Sequence, residues 1–196
     1  MGVDVRATFR PDAQRRAFTH VDASGERTIT VIGARLGPHA DDPLPWDDLD
    51  DVDAVFFCAG DDDALRQARR ARTLVVTSRE HERIARAGVS IDAVVGSARD
   101  AAERFAGADP EPGMVVETLG ADGGRYRTRE GRTGTFGPGR VPGPIVCAYG
   151  AGDSFVAGLT FALARGDELD RALAFAADCG AACLSGRGPY AGQLTA

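Results

Sequence analysis

Short apolar runs alternate with amphipathic runs between residues 52 and 119. The apolar runs are continuous and rich in β-branched side chains, which is typical of strands covered on both faces. The runs between them carry arginine and acidic residues at helical spacing. The pattern predicts strands at residues 52–58, 73–77, 91–95 and 114–119, and helices at residues 64–71, 80–87 and 98–105. We therefore expect an α/β fold with a doubly wound, mostly parallel sheet and helices on both faces.

The segment that follows has a different pattern. Residues 125–135 are more polar and alternate around Glu130-Gly131, which predicts a β-hairpin. Prolines and glycines then indicate an extended connection. Two helices close the chain, one at residues 151–165 and one from residue 168 to about 185, and each ends at a glycine.

The first fifty residues contain a second, smaller hairpin. Extended runs at residues 17–22 and 27–33 are joined by a turn at residues 23–26. The Asp- and Pro-rich residues 37–51 are interpreted as a surface connection. A chain of 196 residues can bury one substantial core, so we expect a single domain over residues 1–196.

Charge and composition narrow the possible partners. The formal net charge is −6, and basic and acidic residues are interspersed, which argues against nucleic acid binding. No lysine occurs in the chain, so a Walker-A lysine and a Schiff-base lysine are excluded. A bound phosphate must therefore contact arginine side chains or backbone N–H groups.

The cysteines and the hydropathy point to a reduced, intracellular setting. The four cysteines lie in apolar runs and are expected to be reduced thiols in the core; they are Cys58, Cys147, Cys179 and Cys183. The scattered histidines argue against a zinc site. No apolar run approaches the ~18 residues of a membrane span and no leader pattern opens the chain, so we expect a cytoplasmic protein without a membrane partner.

The strongest chemical signal is Gly150-Ala151-Gly152-Asp153 at the start of a predicted helix. Free backbone N–H groups at a helix N-terminus favour an anionic group such as phosphate. Asp153 could accept a proton from a hydroxyl that approaches the same point, as a general base does. The alternative is that Asp153 only caps the helix, a common use of aspartate.

This run, continued to Leu159, resembles the signature of the ribokinase (PfkB) family of carbohydrate kinases. Three other segments agree in order and spacing. Gly25-Glu26-Arg27-Thr28 is similar to the family's lid strand, and residues 116–123 are similar to its nucleotide-binding turn. Residues 97–100 stand where the family has an Asn-x-x-Glu motif.

The resemblance implies a ribokinase-like fold, with lid strands at residues 15–35, and an ATP- and Mg²⁺-dependent kinase acting on a hydroxyl of a sugar or nucleoside. Asp153 would be the general base, with an anion hole formed by Gly150, Ala151 and Gly152. The expected ATP-site residues are Thr118, Gly120, Gly123 and Ser97. Asp100 would be associated with Mg²⁺. The Thr118 turn also suits a ligand at the carboxyl edge of a parallel sheet, although such glycine-rich exits are often simple turns.

Two departures from the family pattern qualify these expectations. Cys147-Ala148-Tyr149 stands where the family commonly has Asp-Thr, so potassium activation is not expected. The family's N-terminal third, with its sugar-recognition motifs, has no counterpart, and residues 1–8 resemble the end of a strand. The sheet would then have an open edge, which invites pairing. Three outcomes stay open: a truncated gene product, a short natural form that makes a homodimer or pairs with another chain, and a fold rearranged to close itself. The alternative function is a catalytically silent nucleotide-binding or subunit-interaction module.

Overall fold

The computed structural model describes residues 2–21 and 27–194. Its first two strands, β1 (Arg16–Val21) and β2 (Arg27–Ile32), form a separate antiparallel hairpin. The predicted turn at residues 23–26, with the first half of the lid-like motif Gly25-Glu26-Arg27-Thr28, lies outside the described residues. Phe18, Ile29 and Ile32 of this hairpin are exposed.

A mixed sheet of six strands forms the centre of the fold, and its strands follow one another in chain order. These strands are β3 (Ala54–Phe57), β4 (Thr73–Thr77), β5 (Ala93–Ser97), β6 (Met114–Thr118), β7 (Gly124–Thr128) and β8 (Thr133–Phe136). The first four are parallel, and β7 and β8 add an antiparallel hairpin. The predicted parallel sheet and the hairpin after it are confirmed. β3 lies at one edge of the sheet.

Helices cover both faces of this sheet. The helices are α1 (Asp62–Ala68), α2 (His81–Ala87), α3 (Ala151–Ala164) and α4 (Leu169–Cys183). Successive residues of a strand point to opposite faces. Leu74 and Val76 accordingly pack in one core with α1 and α2, whereas Val75 packs in the other with α3 and α4. The alternation explains why the strands are apolar throughout.

Local signals set the ends of the helices. The Asp61 side chain accepts a hydrogen bond from the Ala64 N–H at 2.7 Å and so caps α1. Gly88 ends α2 in the left-handed conformation, with φ of 63°. Among the described residues, no helix combines the length and apolar character needed to span a membrane.

Three predictions about the fold were wrong. The helix predicted at residues 98–105 is only a short 3-10 turn, Ala101–Glu103, because the Asp100 carboxylate accepts the Ala102 N–H and Glu103 accepts the Ser97 N–H. These side-chain bonds fix a tight turn in place of a helix. Residues 2–8 form no strand. Cys58 is exposed, although Cys179 and Cys183 are buried as expected.

Candidate active site

Two of the predicted ATP-site residues lie side by side at the carboxyl edge of the sheet. Ser97 ends β5, Thr118 ends β6, and the two are paired in register. The N–H of Ala98 donates to the carbonyl oxygen of Thr118 at 3.0 Å, which extends the pairing beyond the strands. Ligands bind at this edge in open α/β sheets, because the loops after parallel strands meet there.

The turn after Thr118 depends on glycine at two positions. Gly120 and Gly123 both have positive φ, 66° and 76°. A Cβ on Gly123 would lie 2.0 Å from the carbonyl oxygen of Phe136, so no side chain fits there. A Cβ on Gly120 would lie 3.1 Å from Nη1 of Arg99. The turn therefore presents bare backbone to which a ligand can come close, and the arginine beside it pairs with Asp122 of the same turn at 2.6 Å.

The start of α3 offers unpaired backbone donors. Gly150 is the residue before the helix, with φ of 89°, and a Cβ there would lie 2.6 Å from Cβ of Pro189. The N–H of Ala151 makes a long bond to the carbonyl oxygen of Ala148 at 3.4 Å. Within residues 2–21 and 27–194, the N–H groups of Gly152 and Asp153 have no acceptor. These two groups are free to bind an anion.

Asp153 is the third residue of α3, and it is exposed. The N-cap position belongs to Gly150, and no side chain caps the helix. In the part of the chain that the structure describes, no hydrogen bond or ion pair engages the Asp153 carboxylate. The alternative interpretation of Asp153 as a helix cap is therefore not supported, and its oxygens are available to a ligand.

Asp153 lies close enough to the end of β3 to affect Cys58. Desolvation by the surrounding atoms is the main cause of a raised pKa of the Cys58 thiol, even though the residue as a whole is exposed. The negative charge of Asp153 raises this pKa further, and the guanidinium of Arg35 opposes the rise. Arg35 also donates to the carbonyl oxygen of Cys58 at 2.6 Å. The charge of Asp153 therefore acts on the end of β3.

A pair of aromatic rings connects α3 to the glycine turn. The ring of Phe155, two residues after Asp153, stacks on the ring of Phe136 with centroids 5.5 Å apart. Phe136 ends β8 and is also the residue that leaves no room for a side chain at Gly123. The first turn of α3 and the predicted nucleotide turn are therefore held by a common strand.

Asp100 has different surroundings from those expected of a metal ligand. Its Oδ2 lies 2.6 Å from Nη2 of Arg79, and its Oδ1 accepts the N–H of Ala102 at 2.9 Å. Both oxygens accept a hydrogen bond, and the positive charge of Arg79 opposes the binding of a metal ion in this arrangement. Arg79 and Glu103 complete the corner that follows β5, and neither was predicted from the sequence. The spacing of Glu103, three residues after Asp100, was the available signal.

One other group of side chains has ligand-type atoms close together. His39, Asp41 and Asp61 place one such atom each within 4.8 Å of one another, the single group of this kind among the described residues. Asp61 already caps α1 through the Ala64 N–H. Nη1 of Arg10 lies 3.1 Å from Nε2 of His39 and would repel a cation, so we assign no metal site here.

The predicted site residues lie around the carboxyl edge of the sheet and the start of α3. Two surface cavities of about 550 and 600 Å³ lie elsewhere, and no predicted site residue lines either of them.

Comparison with known proteins decides the family. The family model of pfkB family carbohydrate kinases matches residues 58–196. The chain belongs to this family. The match includes the whole sheet edge described above, from Cys58 to the helix α3. No curated protein sequence matches the chain.

Solved structures show that this pfkB family chain has the ribokinase-like fold. A probable sugar kinase from Rhizobium etli CFN 42 superposes with a TM-score of 0.68 and 20% identity, over 89% of this chain and 61% of the other. A nucleoside kinase from Burkholderia thailandensis, solved with inosine, has a TM-score of 0.68 and 15% identity, over 92% and 64%.

A third similar structure was solved with bound ligands. It is the aminoimidazole riboside kinase from Salmonella enterica, in complex with aminoimidazole riboside and an ATP analog. Its TM-score is 0.51 and its identity 27%, over 65% of this chain and 51% of the other. The chain thus spans between about half and two thirds of the length of these three kinases.

Proposed function

We propose that this pfkB family chain carries the nucleotide-binding and phosphoryl-transfer part of an ATP-dependent kinase that acts on a hydroxyl of a sugar or nucleoside. The observation that carries the proposal is the free carboxylate of Asp153 beside the free N–H groups of Gly152 and Asp153. A base and an anion-binding group at one point are what the transfer of a phosphoryl group to a hydroxyl requires. The acceptor class rests on the names of the similar kinases.

In this proposal Asp153 takes the proton of the acceptor hydroxyl. The hydroxyl oxygen then forms a bond to the γ-phosphorus of ATP, and the bond between that phosphorus and the β–γ bridging oxygen breaks, so ADP leaves. The N–H groups of Gly152 and Asp153 donate to the oxygens of the phosphoryl group during transfer. Because the Ala151 N–H already makes a weak bond to Ala148, its share in this anion hole is smaller than the sequence implied.

The ATP would lie along the edge formed by the two strand ends. Ser97, Thr118 and the glycine turn at Gly120 and Gly123 present hydroxyls and bare backbone there. Mg²⁺, when bound, would neutralise the charge that develops on the phosphates. Since the Asp100 oxygens are engaged, we propose that Mg²⁺ is held by the nucleotide phosphates and water.

Two earlier expectations stay predictions. The outer side of β3 has no neighbouring strand among the described residues, so the sheet has an open edge that could pair in a homodimer or with another chain. The cytoplasmic location likewise stays a prediction.

A silent nucleotide-binding module is the second candidate function. The observation that favours it is the ion pair of Asp100 with Arg79. Asp100 is the only carboxylate that the sequence assigned to metal. Such a module would bind ATP without turnover.

The experiment that separates these functions measures ADP release from the full chain with ATP, Mg²⁺ and a panel of sugars and nucleosides. Asp153→Asn should lower the rate by about 10²–10⁴-fold, as expected for loss of a general base. Asp170→Asn is the matched control, because Asp170 is also an aspartate in a first helical turn but pairs with Arg132 at 2.9 Å. It should keep the rate. ATP binding without turnover would favour the silent module, and no ATP binding would contradict both.

A further inference from the structure

One guanidinium joins two carboxylates at the end of β5. Nη2 of Arg79 lies 2.6 Å from Oδ2 of Asp100 and 2.6 Å from Oε1 of Glu103. Arg79 lies in the short turn that follows β4, so the contact connects the ends of two neighbouring strands. Glu103 is the more buried of the two acids, with 17% of its side chain exposed against 39% for Asp100.

The remaining oxygens of this corner also have donors. Oδ1 of Asp100 accepts the N–H of Ala102 at 2.9 Å, and Oε2 of Glu103 accepts the N–H of Ser97 at 2.5 Å. All four carboxylate oxygens are therefore engaged. The guanidinium lies against both carboxylates, so a divalent ion could bridge this pair only by displacing Arg79.

We infer that Arg79 is a built-in cation for the acidic pair Asp100–Glu103, so that this corner holds no divalent metal ion of its own. Two carboxylates that converge on one point attract a cation, and Mg²⁺ or Mn²⁺ is the usual occupant of such oxygen sites. Here the guanidinium supplies the charge. Because this cation is part of the chain, the positive charge beside Ser97 does not depend on the concentration of metal.

The same geometry implies a latent metal site. Without Arg79, two negative charges would face each other at a point that the Ser97 and Ala102 amides hold in place. The carboxylates of Asp100 and Glu103 would then repel each other until a cation binds between them. Removing Arg79 should therefore create a divalent site where the native chain has none.

The test measures binding of Mn²⁺ alone to the full chain by electron paramagnetic resonance, without nucleotide. Its result therefore does not depend on the kinase function proposed above. Arg79→Gln should bind one Mn²⁺ about tenfold more tightly than the native chain, since it exposes two carboxylates to one cation. Arg99→Gln is the matched control, because Arg99 is an exposed arginine at the same edge whose one ionic partner among the described residues is Asp122, at 2.6 Å. It should show no gain.

The double variant Arg79→Gln/Glu103→Gln locates the new site, and it should lose the gain in affinity. The inference is overturned if the native chain binds Mn²⁺ as tightly as Arg79→Gln, if Arg99→Gln gains as much, or if the double variant keeps the gain. Should Arg79→Gln fail to fold by circular dichroism, Asp100→Asn in the native background decides. Unchanged Mn²⁺ affinity supports the inference, and a tenfold loss would show that Asp100 already holds a metal ion.

Discussion

The first turn of α3 and the corner at the end of β5 each present an aspartate that the sequence marked for chemistry, and their surroundings are opposite. Asp153 is exposed, and the neighbouring N–H groups have no acceptor among the described residues. Asp100 has both oxygens engaged, one of them by an arginine 21 positions earlier in the chain. A sequence motif thus locates a carboxylate, whereas partners distant in the chain decide whether its oxygens are free to bind a ligand.

After Asp153→Asn, the largest effect should come from removing one N–H from the first turn of α3, which is the open region of this comparison. Gly152→Pro deletes a free N–H in the first turn of α3, where proline is tolerated. If this group stabilises the transferring phosphoryl group, ADP release with ATP and an acceptor should fall by about 10²–10³-fold. Gly152→Ala keeps the N–H, and outside its chain neighbours and the backbone of its own helix no atom lies within 4 Å of the added Cβ, so it is the matched control.

Equal rates for the proline and alanine variants would contradict a role of the Gly152 N–H in transfer. A similar loss in both variants would mean that the helix end is disturbed by any side chain. Thermal unfolding of both proteins checks that the first turn is intact.

A methyl group added at the end of β5, beside Asp100 and Glu103, should destabilise the fold. This corner is the closed region of the comparison. A Cβ on Gly96 would lie 1.9 Å from Oγ of Ser78 and 2.8 Å from the carbonyl oxygen of Glu103. Such overpacking costs about 1–3 kcal/mol, and urea unfolding of Gly96→Ala measures it. Ser78 is 1% exposed, so it has little room to move away.

The control for this prediction again comes from the open region. Gly152→Ala should change the free energy of unfolding by less than about 1 kcal/mol, because its Cβ meets no atom and the residue lies in a helix. Ser78→Gly/Gly96→Ala removes the clashing side chain and should recover part of the loss. If Gly96→Ala is as stable as the native chain, the tight packing of this corner is refuted.

The sequence predicted the parallel sheet because its apolar runs are long and uninterrupted, as residues such as Leu74, Val75 and Val76 require when both faces are covered. It failed at residues 98–105, where the Asp100 and Glu103 side chains bond to backbone N–H groups and replace a helix by a turn. Helical periodicity carries no signal for such bonds.

The candidate site was predictable in its location and less so in its chemistry. The run from Gly150 to Asp153 does begin a helix, and Ser97 and Thr118 do lie together at the sheet edge. The ion pair of Arg79 with Asp100 joins two different loops, so no local spacing reveals it. The apolar neighbours of Cys58 in sequence likewise did not show that its position at the end of β3 is exposed.

The smallest expected effect uses Cys58 as a reporter of the charge on Asp153. The carboxylate raises the pKa of the Cys58 thiol, so Asp153→Asn should lower that pKa and increase the thiolate fraction at a fixed pH near 8. Alkylation of Cys58 by iodoacetamide, followed by mass spectrometry of its peptide, should become faster by about twofold, the scale of a partly screened charge. Asp170→Asn should leave the rate unchanged, because Asp170 contributes nothing to the pKa of Cys58. An unchanged rate in Asp153→Asn would mean that the carboxylate does not act on the end of β3. The first turn of α3 would then lack the free carboxylate that distinguishes it from the corner at Asp100 and Glu103.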